Sequence, residues 1–187
     1  MSGFSHDGPG GDAVDAVPLR GATPYDLWLW SQETSQRLTE LYERVLVAGT
    51  PEACRVHAPD VLRLTRRLLA LRLTVVAGHR RLAFEQRVPP AHGEAVAALW
   101  AEVFWAARAA SPDDDSGVLE EADAAIRGLL GSSTADLADL HAVTGWWERL
   151  QQVEETFDGL EMQAQAALEA RQEQYGHAWE KRQLNTP

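Results

Sequence analysis

The stretch from Asp60 to Val88 constrains the fold of this chain more than any other. At about 100° per residue, Leu62, Leu64, Leu68, Leu69, Leu71, Leu73, Val75, Val76 and Leu82 cover most of the circumference of a helix. Arg63, Arg67, Ala70, Thr74, Ala77 and Arg81 line up on one narrow remaining face. A helix apolar over so wide an arc needs other helices on several sides. The expected fold is therefore all-α, a bundle of five or six helices around a central helix at 60–88. Composition agrees: Ala, Leu, Glu, Gln and Arg dominate while Ile occurs only once, and the dominant types favour helix.

Local signals set the expected boundaries. Residues 1–22 hold five Gly, two Pro and three Asp with little to bury, which reads as a flexible N-terminal tail. Thr23-Pro24 is a cap followed by Pro in the first helical position, with Asp26 in the first turn. The helix so started should run to Ala48, where Gly49 ends it. Thr50-Pro51 repeats the signal and predicts a short helix to His57, with Pro59 breaking or kinking the chain before Asp60. Pro89-Pro90 closes the central helix, and Ala91 to Ala110 is the next. SPDDDSG at 111–117 is a loop whose three Asp lack the alternating spacing of a calcium loop. Val118 to Leu130 is a further helix, and Ser133 to Asp136 has a capping-box layout with Asp in place of Glu.

From Ala135 to about Gln183 a stripe of apolar residues at 3–4 spacing persists through Leu137, Leu140, Trp147, Leu150, Phe157, Leu160, Ala164 and Ala167. As one helix it would be roughly 70 Å long. Gly145, Gly159 and Gly176 interrupt it, so two helices folded back on one another stand as the alternative to one long helix. Residues 23–187 are expected to form a single helical domain, with 134–183 projecting from it and needing a partner.

The totals exclude several classes. One chain of 187 residues supports one sizeable core. Its longest apolar runs are interrupted by Arg72 and Glu102, so neither spans a membrane. Cys54 is the only cysteine, which forbids an internal disulfide and fits a reducing cytoplasm. Cys54 and His57 share a helix face, but two ligands do not make a zinc site. No Glu-x-x-His pair, His-Glu-x-x-His or phosphate-binding Gly loop occurs, so no metal and no cofactor is expected. Sixteen Arg against the single Lys181 reflect genome base composition rather than chemistry.

Charge is unevenly placed. Arg55 to Arg87 contains eight Arg against Asp60 and Glu85, a net +6 that leaves −17 for the rest of a −11 chain. That acidic remainder disfavours nucleic acid as a partner. Separated blocks predict instead that Arg63, Arg67 and Arg81 meet an acidic helix, within or between chains, and set its register. Glu154, Glu155, Asp158, Glu161, Glu169 and Glu173 supply that acid.

Arg72 and His79 fall opposite the Arg63/Arg67/Arg81 stripe, near the middle of the apolar face. A charge pointing inward is costly unless paired. Their spacing, Arg-x6-His, is similar to the Arg-x4–6-His signature of the HEPN ribonucleases, which are small all-helical dimers. The resemblance implies that Arg72 and His79 meet across a dimer interface and cleave RNA phosphodiesters. It covers eight residues, with Leu73 where a polar residue commonly follows the family's Arg. The structural alternative pairs Arg72 with a carboxylate such as Glu102.

Seven Trp complete the picture. Trp30, Trp100 and Trp147 lie on core stripes, whereas Trp28, Trp105, Trp146 and Trp179 are displaced from them and suit a contact surface. The functional expectation is a non-enzymatic interaction or scaffold subunit, a homo-oligomer or part of a larger bacterial assembly. It would assemble through Trp28, Trp105, Trp146, Trp147, Phe157, Leu160, Leu168 and Trp179. Trp147, Phe157, Leu160 and Leu168 would give most of the contact energy. On that reading, truncating Phe157 and Leu160 to Ala lowers the assembly's mass.

Overall fold

A computed structural model describes residues 22–79, 92–112 and 116–184; of Pro24, His79 and residues 174–184 it describes the backbone alone. These residues form five α-helices and a 3-10 turn, with no strand among them. They are α1 (Pro24–Ala48), α2 (Pro51–His79), α3 (Gly93–Ala110), α4 (Val118–Gly131), the 3-10 turn (Thr134–Leu137) and α5 (Leu140–Leu184).

The ends follow their sequence signals. Asp26 N donates to Thr23 Oγ1 at 3.2 Å while Thr23 N donates to Asp26 Oδ2 at 2.8 Å, a complete capping box ahead of α1. Gly49, at φ 60°, closes α1 in the left-handed region, which a side chain would make costly. Thr50 Oγ1 accepts from Ala53 N at 3.2 Å at the start of α2. The Ser133/Asp136 box caps the 3-10 turn rather than the long helix. Asp139 Oδ1 then accepts from Ala142 N at 2.9 Å, so α5 begins at Leu140, later than the expected Ala135.

One expectation about α2 needs correction. The short helix before Pro59 and the central helix are one element, with Pro59 inside it. Pro costs a helix one backbone hydrogen bond and a clash with the preceding turn. Here Pro59 is exposed while Ala58 and Val61 beside it are buried, so packing holds the segment straight through the defect. The expected continuation over 80–88 lies outside the described residues.

The centrality of α2 is shown: it contacts α1, α3, α4, α5 and the 3-10 turn. Every residue from Leu68 to Ala77 is buried, so the helix is enclosed around its full circumference. The stripe through Arg63, Arg67, Ala70, Thr74 and Ala77 is therefore not a surface face, because its last three members are in the core. Buried hydroxyls are satisfied locally: Thr65 Oγ1 donates to Val61 O at 2.6 Å and Thr74 Oγ1 to Ala70 O at 2.7 Å.

α5 is a single helix of 45 residues, continuous through Gly145 and Gly159. Val143, Trp146, Leu150, Val153, Phe157, Leu160 and Ala164 bury one stripe of it against α2 and α4. The chain's own bundle outweighs the helix cost of the glycines, about 1 kcal/mol each relative to Ala. Replacing Pro59 by Ala should restore the missing backbone bond and raise the unfolding free energy by about 1–3 kcal/mol. Urea denaturation measures this; an unchanged or lowered midpoint would mean that the proline geometry is required by its neighbours.

Candidate functional site

Two regions stand out: the buried, charged junction of α1, α2 and α5 around Arg72, and the end of the bundle that carries the exposed Trp28, Trp105 and Met162.

At the junction, Arg72 is only 4% exposed. Its Nη2 donates to Asp158 Oδ1, and its Nη1 lies 3.2 Å from Glu161 Oε1. Glu154, one turn before Asp158, feels the same guanidinium and accepts from Ser35 of α1. Glu154, Asp158 and Glu161 stand at i, i+4 and i+7, one face of α5, immediately beside Phe157 and Leu160. The partner expected for Arg72, Glu102, is exposed on α3 instead. An arginine of α2 thus meets the acidic helix: Arg72, which lies inside the bundle. Arg63 Nη2 pairs with Asp60 Oδ1 at 3.1 Å within its own helix, Arg67 is half-buried, and Arg81 lies outside the described residues.

Burial pushes the Glu161 carboxyl upward, Arg72 draws it back and Asp158 adds to the rise. Glu154 is raised by burial against the opposing Ser35 hydrogen bond and the Arg72 charge, with Asp158 again adding to it. The cluster holds one buried cation for three carboxylates, and the surplus negative charge is held partly out of water. The guanidinium is already engaged by Asp158 and Glu161 of α5, and a phosphate would have to displace both. The side chain of His79, its partner in the ribonuclease reading, lies outside the described residues.

The residues expected at an interface divide. Trp146, Phe157 and Leu160 are buried in the chain's own core, so no partner can reach them without unfolding it. Trp146 reads as displaced on a flat wheel, yet α5 is covered on two sides, and that puts Trp146 inside. Its Nε1 has no hydrogen-bond partner among the described residues. Trp147 is half-buried and stacks on Tyr42 of α1, centroids 4.6 Å apart and planes 10° from parallel. Phe157 meets Trp100 edge to face at 6.1 Å, and Trp100 Nε1 donates to Asp123 Oδ1 at 2.9 Å. Alanine at Phe157 and Leu160 would thus report on folding rather than on assembly.

The others remain outward. Trp105 is 68% exposed, and Trp28 is 43% exposed with its ring against that of Tyr25. Leu168 is half-buried; the side chain of Trp179 lies outside the described residues. Helix register brings the exposed ones to the same end. α1 runs antiparallel to α5, with Tyr42 beside Trp147 and Ser35 beside Glu154, so Trp28 falls level with about Glu161. α4 runs antiparallel to α3, with Gly93 near Leu130 and Arg108 beside Glu120, and antiparallel to α5, with Gly128 near Arg149 and Glu121 beside Gln152. α3 therefore runs with α5, and with Trp100 beside Phe157, Trp105 falls at a similar level. Met162, 72% exposed, is there too. Sequence spacing could not reveal this grouping, because it depends on the relative direction of three helices.

No protein-family model, curated protein or solved structure matches this chain. Among the described residues, no helix is long and apolar enough to cross a membrane, and no group of His, Cys, Asp or Glu is arranged to hold a metal.

Two measurements test the junction. Replacing Asp158 and Glu161 together by Ala leaves Arg72 buried without its ion pairs and should cost about 3 kcal/mol, the low end for a broken buried pair because Asp158 itself is largely solvated. Adding Arg72→Met should recover most of that loss; a triple variant no more stable than the double would refute the pairing. The second is pH. A carboxyl raised in the folded state contributes stability that is fully present below its unfolded value, near 4.5, and is lost as pH rises through the folded value. Stability should therefore increase from pH 7 towards about 5. It should fall again at lower pH, where Asp26 and Asp136, lowered by their Thr23 and Ser133 hydrogen bonds, are protonated. Glu154→Gln should flatten the upper slope; an unchanged slope would remove Glu154 from the account.

Proposed function

We propose that this chain is a non-enzymatic helical interaction subunit whose docking element is α5 beyond Ala164, with a second copy of the chain as its first partner. The observation that carries this reading is the length of α5. Ala164 is its last buried residue among those described, and the helix continues for twenty residues more, to Leu184. That is about 30 Å of helix. An isolated helix of this size is marginal in water, because nucleation is costly and each added residue gains little. A covering partner would add burial to it.

Two further features support the same end as the docking surface. Trp28, Tyr25, Trp105 and Met162 are exposed at about the axial level where the buried stripe of α5 ends, and exposed aromatic residues are typical anchors of protein interfaces. In the segment 165–184, Glu169, Glu173 and Glu180 are matched by Arg171, Lys181 and Arg182, so it is locally neutral in a strongly acidic chain. Two copies can then approach through this segment without the repulsion their −11 charges would otherwise produce.

Light scattering on the full chain and on a chain ending at Gln165 is the test. The full chain should have at least twice the monomer mass and the shortened one the monomer mass. The difference should survive roughly 1 M salt, where the Debye length is about 3 Å, because the contact is apolar. Trp28→Ser with Trp105→Ser should weaken association without lowering the unfolding midpoint. A monomeric full chain with the same helicity per residue as the shortened one would overturn the proposal.

A further inference from the structure

A different part of the molecule carries the features of a ligand site. Between the end of α3, the start of α4 and the middle of α5 lies a cleft of about 330 Å³, open to solvent along one side. That volume is at the small end of ligand pockets, about 300–1,000 Å³. Its floor is apolar, built from Ala107, Leu119 and Leu160, all buried. Its rim is polar and of one sign: Glu121 and Glu155 stand at it, and no Arg, Lys or His is among the lining residues. The nearest basic residue in sequence, Arg108, lies 3.4 Å from Glu120 and does not line the cleft.

The α5 wall contains Gly159, in the interior of a helix where glycine weakens the backbone. A Cβ there would meet nothing within 4 Å, so packing against neighbours does not require the glycine. Gly145 has equally open surroundings, and openness alone would say little. Gly159 differs in that the space its missing side chain leaves is part of a cleft walled by three helices. The bare backbone at Gly159 leaves room in the cleft that a side chain would take.

We infer that this cleft binds a small organic ammonium ion with an apolar body. The hydrocarbon part would rest on Leu119 and Leu160 against the bare backbone at Gly159. The ammonium would be held by Glu121 and Glu155, with the Gln152 side chain, 3.3 Å from Glu121 Oε2, orienting that carboxylate. This site is separate from the overhang of α5 and does not depend on how the chain assembles.

Calorimetric titration of the full chain with phenethylamine, and with phenylacetate as the charge-reversed analogue, tests it. Phenethylamine should bind saturably and phenylacetate should not. Glu121→Gln with Glu155→Gln, both at exposed positions, should weaken phenethylamine by at least about tenfold, since two charge-assisted contacts are lost. Gly159→Leu fills the cleft and should abolish binding, with circular dichroism confirming that the helix is intact; Leu is the better helix former. Were that variant to misfold, the paired glutamines decide alone. Absence of phenethylamine binding up to about 10 mM, a weak limit on the affinity scale, would overturn the inference. So would equal binding of phenylacetate, or unchanged binding by folded Gly159→Leu.

Discussion

Enclosing the segment Leu68–Ala77 on every side is the constraint on which the rest of the structure depends. A helix buried around its whole circumference satisfies its own backbone internally, so its demands on the surroundings are volume and the pairing of any polar side chain. Nine of the ten residues are Leu, Val, Ala or Thr, and the threonine hydroxyl is satisfied by its own helix. Arg72 is the exception. Its guanidinium cannot be buried alone, so the element packed against that side of α2 must bring carboxylates at the right height. α5 does so with Asp158 and Glu161, and α1 joins through Ser35 and Glu154. The pairing fixes which face of α5 turns inward and sets the axial register of the two helices.

From that register the remaining features follow. With Asp158 level with Arg72, Phe157 meets Trp100, which ties α3 to α5, and Trp100 in turn donates to Asp123 of α4. Arg127 also donates to Asp123; although burial pushes the Asp123 carboxyl up, the hydrogen bonds from Arg127 and Trp100 hold it below its ordinary value. In that register Ala164 is the last buried residue of α5 up to Glu173 among the described residues. The register also puts the exposed Trp28, Trp105 and Met162 at a similar axial level, and the cleft lies where α3 ends and α4 begins.

On the proposed reading, the buried cluster and the exposed end divide the labour between specificity and contact. A buried, asymmetrically charged junction adds less to stability than an apolar one of equal volume would, but it admits one alignment of helices. The exposed aromatic residues do the reverse: they offer area without direction. A long helix rooted in a rigid junction presents that area at a fixed angle, which lowers the ordering cost of association.

The sequence by itself determined the class of fold, the central position of the arginine-rich helix, most caps and the helical character of the C-terminal segment. These depend on periodicity and on short-range hydrogen bonding, both local in the chain. It did not determine that Pro59 sits inside α2, because packing of Ala58 and Val61 offsets a local defect that propensity alone counts as a break. Nor did it determine which aromatic residues face out. Trp146, Phe157 and Leu160 and the exposed Trp105 are alike as residue types, and only the number of helices laid against each face separates them. The choice of Asp158 and Glu161 over Glu102 for Arg72 was likewise tertiary: it rests on which helix lies beside α2 and in which direction, and no spacing within one helix records that.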